Sequence, residues 1–295
     1  MNKKESVFIS AILYLSDYAR DPEKYTRNLL DSLKSYFDHY EIIIVNDCCV
    51  KQDKYLKEVL PKLADSTITV VHMSVKQGVE ACLKAGLDVS IGDFVFEFDT
   101  LEFDFDKELL WDVYQEALKG NDVVSVEPKQ RSISRKLFYN LFNKFSNADY
   151  DVNASAFRLV SRRAINRVLD LNMSSAFRQA VYASCGLKNS RIDFKGNANP
   201  RKARGLSLAI DSFLLYTEFG KQVCTTSVLF LAVLLIAGII GLCIPGAGWL
   251  FKVSILAFVA LILLDVIIML NYNRLLLKER DSKYLISNIE KIQKG

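Results

Sequence analysis

The sequence predicts an α/β fold: a mostly parallel sheet with helices on both faces, followed by a two-helix transmembrane hairpin. Two observations carry this. The first half alternates short apolar runs with segments of helical periodicity, the pattern of strands joined by crossover helices. Near the C-terminus, no charged residue occurs between Lys221 and Lys252, and Val253 to Leu264 is again uncharged and apolar but for Ser254.

The strands fall at 6–15, 41–46, 68–73, 93–99 and 122–127, and the helical patterns near 23–37, 53–64, 77–90 and 105–119. The first run needs a decision, because Lys3 and Lys4 ahead of Val7–Leu15 imitate a secretory signal. The run is short, no small-residue cleavage site follows, and Asp17, Arg20, Asp21 and Glu23 come next. A buried first strand is expected. Ligands of such sheets bind at the carboxyl ends of the strands. Asp47 and Asp99, each just past a strand, are therefore candidate site residues.

A membrane-spanning helix needs about 20 apolar residues. The C-terminal tract holds two, at 222–243 and 250–271, joined by a turn containing Pro245-Gly246-Ala247-Gly248, with Trp249 at an interfacial position. Basic residues flank both outer ends: Arg201, Lys202, Arg204 and Lys221 before, Arg274, Lys278, Arg280 and Lys283 after. The positive-inside rule places both ends in the cytoplasm of an inner-membrane, multi-pass protein. Asp265 lies inside the second span, either for function or for contact with a partner helix or headgroups. Residues 131–146 supply basic charge and a face formed by Leu137, Leu141 and Phe145. Such a helix lies in the membrane interface or packs on the domain core; the neighbouring hairpin favours the interface. The expected organisation is a catalytic domain over 1–205 containing that helix, a connector over 206–221, the hairpin over 222–271 and a cytoplasmic tail over 272–295.

The formal net charge is +4, which suits phosphate-bearing partners or an anionic membrane and is too small to imply nucleic acid. The six cysteines, Cys48, Cys49, Cys82, Cys185, Cys224 and Cys243, form neither a disulfide framework nor metal-binding spacing. His39 and His72 are the only histidines, so histidine-based metal or triad chemistry is not expected.

The segment 78–99, GVEACLKAGLDVSIGDFVFEFD, resembles the donor-site stretch of family-2 glycosyltransferases of GT-A fold. EIIIVNDCC (41–49) is similar to that family's EIIxVDDGS strand end, and AILYLSD (11–17) to its IPVYNEE. SRKLFYNLFN (134–143) and ASAFRLVSRRAI (154–165) resemble later elements of the polyprenyl-phosphate branch, which includes dolichol-phosphate mannose synthase and undecaprenyl-phosphate glucosyltransferases. The resemblance implies a nucleotide-sugar donor, a polyprenyl (undecaprenyl) phosphate acceptor at the lipid bilayer, a divalent cation (Mg2+ or Mn2+), and room for homo-oligomer assembly. Tyr14, Asp47 and Asp99 match donor-binding positions.

Departures from the family pattern put the metal in question. The acid motif reads Asp99-Thr100-Leu101-Glu102-Phe103-Asp104, so its second acid is lost. Glu102 and Asp104 either take the metal-binding places beside Asp99 or only open the following helix. In the later DxGDFRL element Asn153 and Ala156 replace both acids, while Phe157 and Arg158 remain. A lipid monophosphate is mostly the dianion at neutral pH and needs no general base. It needs cations to place it, and arginine's fork suits phosphate. Arg158 is the first candidate, with a catalytic role beside Asp99; Arg135 and Arg201 follow. The expected reaction is an inverting transfer of a sugar to polyprenyl phosphate at the cytoplasmic membrane face. Its rivals are another lipid-linked acceptor, or a silent glycosyltransferase-like scaffold.

Overall fold

The computed structural model describes residues 4–63, 68–101, 106–129, 133–153, 155–170, 177–194, 206–243, 248–280 and 284–292. The chain divides into two compact units. The first, 1–141, 148–203 and 282–295, holds the sheet; the second, 142–147 and 204–281, holds the apolar helices.

The sheet is built from β1 (Glu5–Leu15), β2 (Phe37–Asn46), β3 (Ile68–Met73), β4 (Phe94–Phe98), β5 (Val123–Pro128), β6 (Phe157–Ser161), β7 (Asn189–Phe194) and β8 (Ile286–Ile292), in the order β7-β5-β6-β4-β1-β2-β3-β8. β1 pairs in parallel with both β2 and β4, so the run that imitates a signal sequence is a central strand. The sheet is more mixed than the alternation predicts. β6 lies antiparallel between β4 and β5, and β8 antiparallel on β3. β8 makes the end of the expected C-terminal tail part of the first unit.

Strand alternation sends side chains to two faces. Ile9, Ala11, Leu13 and Leu15 pack on one face with Leu29 and Leu33 of α1 (Pro22–Tyr36) and with Leu110 and Val113 of α4 (Lys107–Leu118). A π-turn at Tyr55–Val59 runs into α2 (Leu60–Leu63) and adds Tyr55, Leu56 and Leu60 to this core. Ile12 and Ile43 face the other way, onto Cys82 and Leu83 of α3 (Val79–Val89). A Cβ at Gly86 would stand 2.5 Å from Ile12 Cγ2, so the missing side chain lets α3 lie close on β1. The Asp21 carboxylate accepts from Lys24 N at 3.0 Å and Pro22 opens the helix, which together start α1.

Polar pairs fix the junctions around β5 and β6. The Asp122 carboxylate, ahead of β5, accepts from Ser161 Oγ at 2.8 Å and from Arg163 Nε at 2.9 Å, at the junction of β6 with α6 (Arg162–Asp170). Arg162 closes the same junction by donating to the Gly92 and Ser90 carbonyls at 3.0 Å.

In the second unit, α8 (Leu206–Tyr216) precedes α9 (Phe219–Cys243) and α10 (Gly248–Arg280). Among the described residues, Phe219–Cys243 and Phe251–Leu277 are long and apolar enough to cross a membrane. They pack together through small and polar residues: Gly238 lies against Phe251 and Ser254, and Ser227 Oγ donates to Asp265. The side chains of Leu229, Ile236, Leu256 and Leu263 point outward and are exposed. The turn at 244–247 lies outside the described residues. The helix expected over 131–146 is α5 (Ile133–Phe145). Its Ile133, Leu137 and Leu141 are exposed, while Phe142 is buried and, with Phe145, packs edge-on against Phe213.

The Asp122 pair sets a pH dependence. Burial pushes this carboxyl up, but the hydrogen bonds from Arg163 and Ser161 outweigh burial, and its pKa lies below the ordinary carboxylate value. Its contribution is therefore complete above the unfolded value of about 4 and fades as pH falls through the folded value. Asp122→Asn is expected to lower stability by about 1 kcal/mol at neutral pH, Arg163 being largely exposed. The stabilities of the two proteins from denaturant titrations should start to converge below about pH 4 and meet once pH has fallen through the folded value. A gap that persists in strong acid would assign the pair to packing instead of charge.

Candidate functional site

In the sheet order β3-β2-β1-β4, chain connectivity reverses direction between β1 and β4. A doubly wound sheet opens a ligand crevice at the carboxyl ends of such strands. Tyr14 stands at the end of β1, Asp47 follows β2 and Asp99 follows β4. The topology thus brings these three expected residues to one end of the sheet. Glu102, Asp104 and Arg201 lie outside the described residues, and Arg135 is placed only as a position on α5.

Asp47 is 1% exposed. Its Oδ1 accepts from Gln77 N at 2.7 Å, and its Oδ2 from Gly78 N at 3.1 Å and Tyr14 Oη at 3.0 Å. Gln77 and Gly78 lead directly into α3, so the carboxylate sits against that helix's N-terminus, where negative charge is favoured. Gly78 has φ +83°, a backbone region that favours glycine. Burial, followed by the Asp47 charge, pushes the Tyr14 hydroxyl and the Cys82 thiol well above their ordinary values, so both stay protonated. Cys49 is pushed up to about 12, first by burial and then by Asp17. These thiols are inert. Asp47 and Tyr14 thus act as a pair that shapes the loop at 74–78.

Asp99 belongs to a second, larger network. Arg158 Nη1 donates to Glu97 Oε2 and Arg158 Nη2 to Asp99 Oδ2, both at 2.9 Å, and Nη2 also reaches Ser155 Oγ at 3.2 Å. Arg178, on α7 (Arg178–Ala183), lies 3.3 Å from Glu80 Oε2, 3.5 Å from Glu97 Oε2 and 3.6 Å from Asp99 Oδ1. Tyr182 Oη donates to Glu97 Oε1 at 2.7 Å. Burial alone would lower both guanidinium pKa values. Asp99 and Glu97 around Arg158, and Glu97 and Glu80 around Arg178, reverse this, and both arginines stay charged.

This arrangement departs from the expected phosphate-facing Arg158. The residue is 1% exposed, and its Nη atoms are committed to carboxylates of its own chain. The cause is Glu97, which faces Arg158 directly across the β4–β6 pair. A buried acid in the apolar run FVFEF is the sequence signal that marks this partner; Arg178 and Tyr182 carry no comparable signal. Beside the network, a cavity of about 250 Å³ is lined by Arg158, Tyr182, Gln179, Asn153, Glu127 and Arg191, among others. Its rim of amides, acids and hydroxyls suits a ligand rich in hydrogen-bonding groups.

The described residues alone do not fit a divalent cation. Asp99 faces two guanidinium groups, and no cluster of three histidine, cysteine or acidic side chains able to hold a metal occurs among them. Glu102 and Asp104, the acids expected beside Asp99, lie outside the described residues.

The network's contribution to stability is measurable. Removing one partner of a buried ion pair leaves an uncompensated charge and costs roughly 3–5 kcal/mol. Arg158→Ala should therefore melt about 10 °C or more below the parent in detergent. Arg158→Lys, which keeps the charge without the fork, should fall between them. An Arg158→Ala protein with parental melting would show that the acids are compensated elsewhere.

Several known proteins are similar to this chain. An uncharacterized glycosyltransferase of Synechocystis sp. is 24% identical over 286 residues, covering 89% of each chain. A prophage bactoprenol glucosyl transferase homolog of Escherichia coli K12 is 26% identical over 210 residues, 66% of this chain and 67% of that one. Among solved structures, glucosyl-3-phosphoglycerate synthase of Mycobacterium tuberculosis, crystallised with Mn2+ and uridine-diphosphate-glucose, superposes with a TM-score of 0.49 at 12% identity, over 70% of this chain and 78% of that one. The family model for glycosyl transferase family 2 matches residues 18–169, more than half of the chain. The chain belongs to glycosyl transferase family 2 and is a glycosyltransferase.

Proposed function

We propose that this glycosyltransferase moves a sugar from a nucleotide-sugar donor to a polyprenyl phosphate, with inversion, at the cytoplasmic face of the inner membrane. What supports the reading is that Tyr14, Asp47 and Asp99 stand at the carboxyl ends of β1, β2 and β4, where sheets of this kind bind ligands, in a chain that also bears two apolar helices of spanning length. The bactoprenol glucosyl transferases among its relatives support a lipid phosphate as acceptor. The exposed Ile133, Leu137 and Leu141 of α5 support contact with the membrane interface. The basic flanks of the hairpin support a cytoplasmic site.

In this reading an oxygen of the lipid phosphate attacks the anomeric carbon. The bond from that carbon to the donor diphosphate breaks, and its electron pair leaves with the nucleoside diphosphate. The dianionic acceptor needs no proton removed. Tyr14 and Asp47 shape the nucleoside end of the crevice through the 74–78 loop. Asp99 lies at the diphosphate end, and Arg158 is a positioning residue that fixes it. Arg135 and Arg201 are the arginines left to meet the acceptor phosphate. Holding the two reactants in line supplies much of the rate.

The test is release of nucleoside diphosphate by the full chain in detergent, with undecaprenyl phosphate and a panel of uridine- and guanosine-diphosphate sugars, across a Mg2+ and Mn2+ titration. Turnover with one donor is expected, and Asp99→Asn should lose about 100-fold or more of it. Glu102→Gln and Asp104→Asn should each raise the metal concentration for half-activity if they hold a cation. If they only open α4, each should cost about 0.3–1 kcal/mol of stability and leave the titration unchanged. Absence of turnover with every donor, or parental turnover in Asp99→Asn, would overturn the reading.

A further inference from the structure

The chain enters the sheet a last time after the apolar hairpin. β8 lies antiparallel on β3, with Ile68 opposite Ile292 and Met73 opposite Ile286. The pairing continues past the strand into the loop that ends at α3. Ser74 N donates to Leu285 O at 2.9 Å. Gln77 then extends the ladder with its side chain: its Nε2 donates to Leu285 O, and its Oε1 accepts from Leu285 N, both at 3.0 Å. One side-chain amide thus replaces a backbone peptide opposite Leu285. The backbone N–H of this same residue makes the 2.7 Å bond to Asp47. Tyr284 adds a hydrogen bond to Asp88 near the end of α3.

Without β8, β3 would be a bare edge and the 74–78 loop would lose its outer partner. Loops are the least stable parts of a fold, and their order depends on the contacts at their ends. Here the contacts on one side come from Asp47 and on the other from a strand 208 residues away in sequence. Gln77 is the residue that joins them.

We propose that Gln77 is a positioning residue for the donor nucleotide, and that the strand following the membrane hairpin sets the donor site by clasping it. This rests on the reading that the crevice beside Asp47 takes the nucleoside end of the donor. The C-terminal strand then makes donor affinity depend on chain that lies beyond both apolar helices. Gln77 touches no reacting atom in this assignment, so its loss acts on binding and not on the chemical step.

The test uses the full chain in detergent, with uridine and guanosine diphosphate as binding probes and donor kinetics alongside. Gln77→Ala should weaken binding of the nucleotide that the parent prefers, and raise the donor KM, by about tenfold, with kcat within about twofold of the parent. Gln77→Glu keeps the acceptor for Leu285 N and loses the donor to Leu285 O; it should fall between the two. Ser287→Ala removes a bond from β8 to the His72 carbonyl that does not touch the loop, and should leave the KM unchanged. Parental nucleotide affinity in Gln77→Ala, a loss confined to kcat, or an equal KM shift in Ser287→Ala would overturn the proposal. Failure of the parent itself to bind either nucleotide would overturn the underlying reading of the crevice, and the proposal with it.

Discussion

Three carboxylates and two guanidinium groups meet at one end of the sheet, and the rest of the site depends on their balance. Glu97 is fully buried, and an isolated charge there would be prohibitively unfavourable. Arg158 and Arg178 answer it, and each also faces a second acid, Asp99 or Glu80. The network therefore ties β4 to β6, and both to α3 and α7. A buried ion cluster of this kind is a weak source of net stability but a strong constraint on geometry, because few arrangements satisfy every member. It fixes Asp99, the acid that the family pattern and the crevice both single out.

A second constraint operates at the carboxyl ends of β1 and β2. Asp47 holds the start of α3 through two backbone N–H groups, and Tyr14 completes its shell. Asp47 and Asp99 thus sit in opposite settings. One is closed in by neutral donors, and the other is balanced by guanidinium charge.

The hairpin and the sheet are adjacent in the chain in two senses. The first unit gives way to the apolar helices near residue 204 and resumes at 282. The segment that resumes does not trail away as a tail. It supplies the sheet's edge strand, covering β3, which would otherwise offer unpaired peptide groups to any passing strand. Ser287, Glu290 and the backbone around Leu285 all engage β3 or the loop after it.

The strands 6–15, 68–73, 93–99 and 122–127 and the helices between them were legible because apolar periodicity is local and the crossover pattern repeats. The apolar hairpin was legible for the same reason, since length and absence of charge suffice. Asp47 and Asp99 could be singled out because they stand at strand ends within a family-like stretch. What the sequence could not settle was pairing between distant segments. β6 is an antiparallel partner of both β4 and β5, and β8 pairs with β3 across most of the chain; nothing local in FRLVS or ISNIEKI names those partners. The role of Arg158 turned on Glu97, a neighbour 61 positions distant. Gln77 reads as an ordinary loop amide until Leu285 is placed beside it. The sequence by itself determined the strands β1 to β5, the helical segments between them and the apolar spans, because those follow from periodicity and hydrophobicity along the chain. Only the tertiary structure decided which charges neutralise one another and which strand closes the edge, because a buried charge or an open peptide group is satisfied by whatever lies next to it in space.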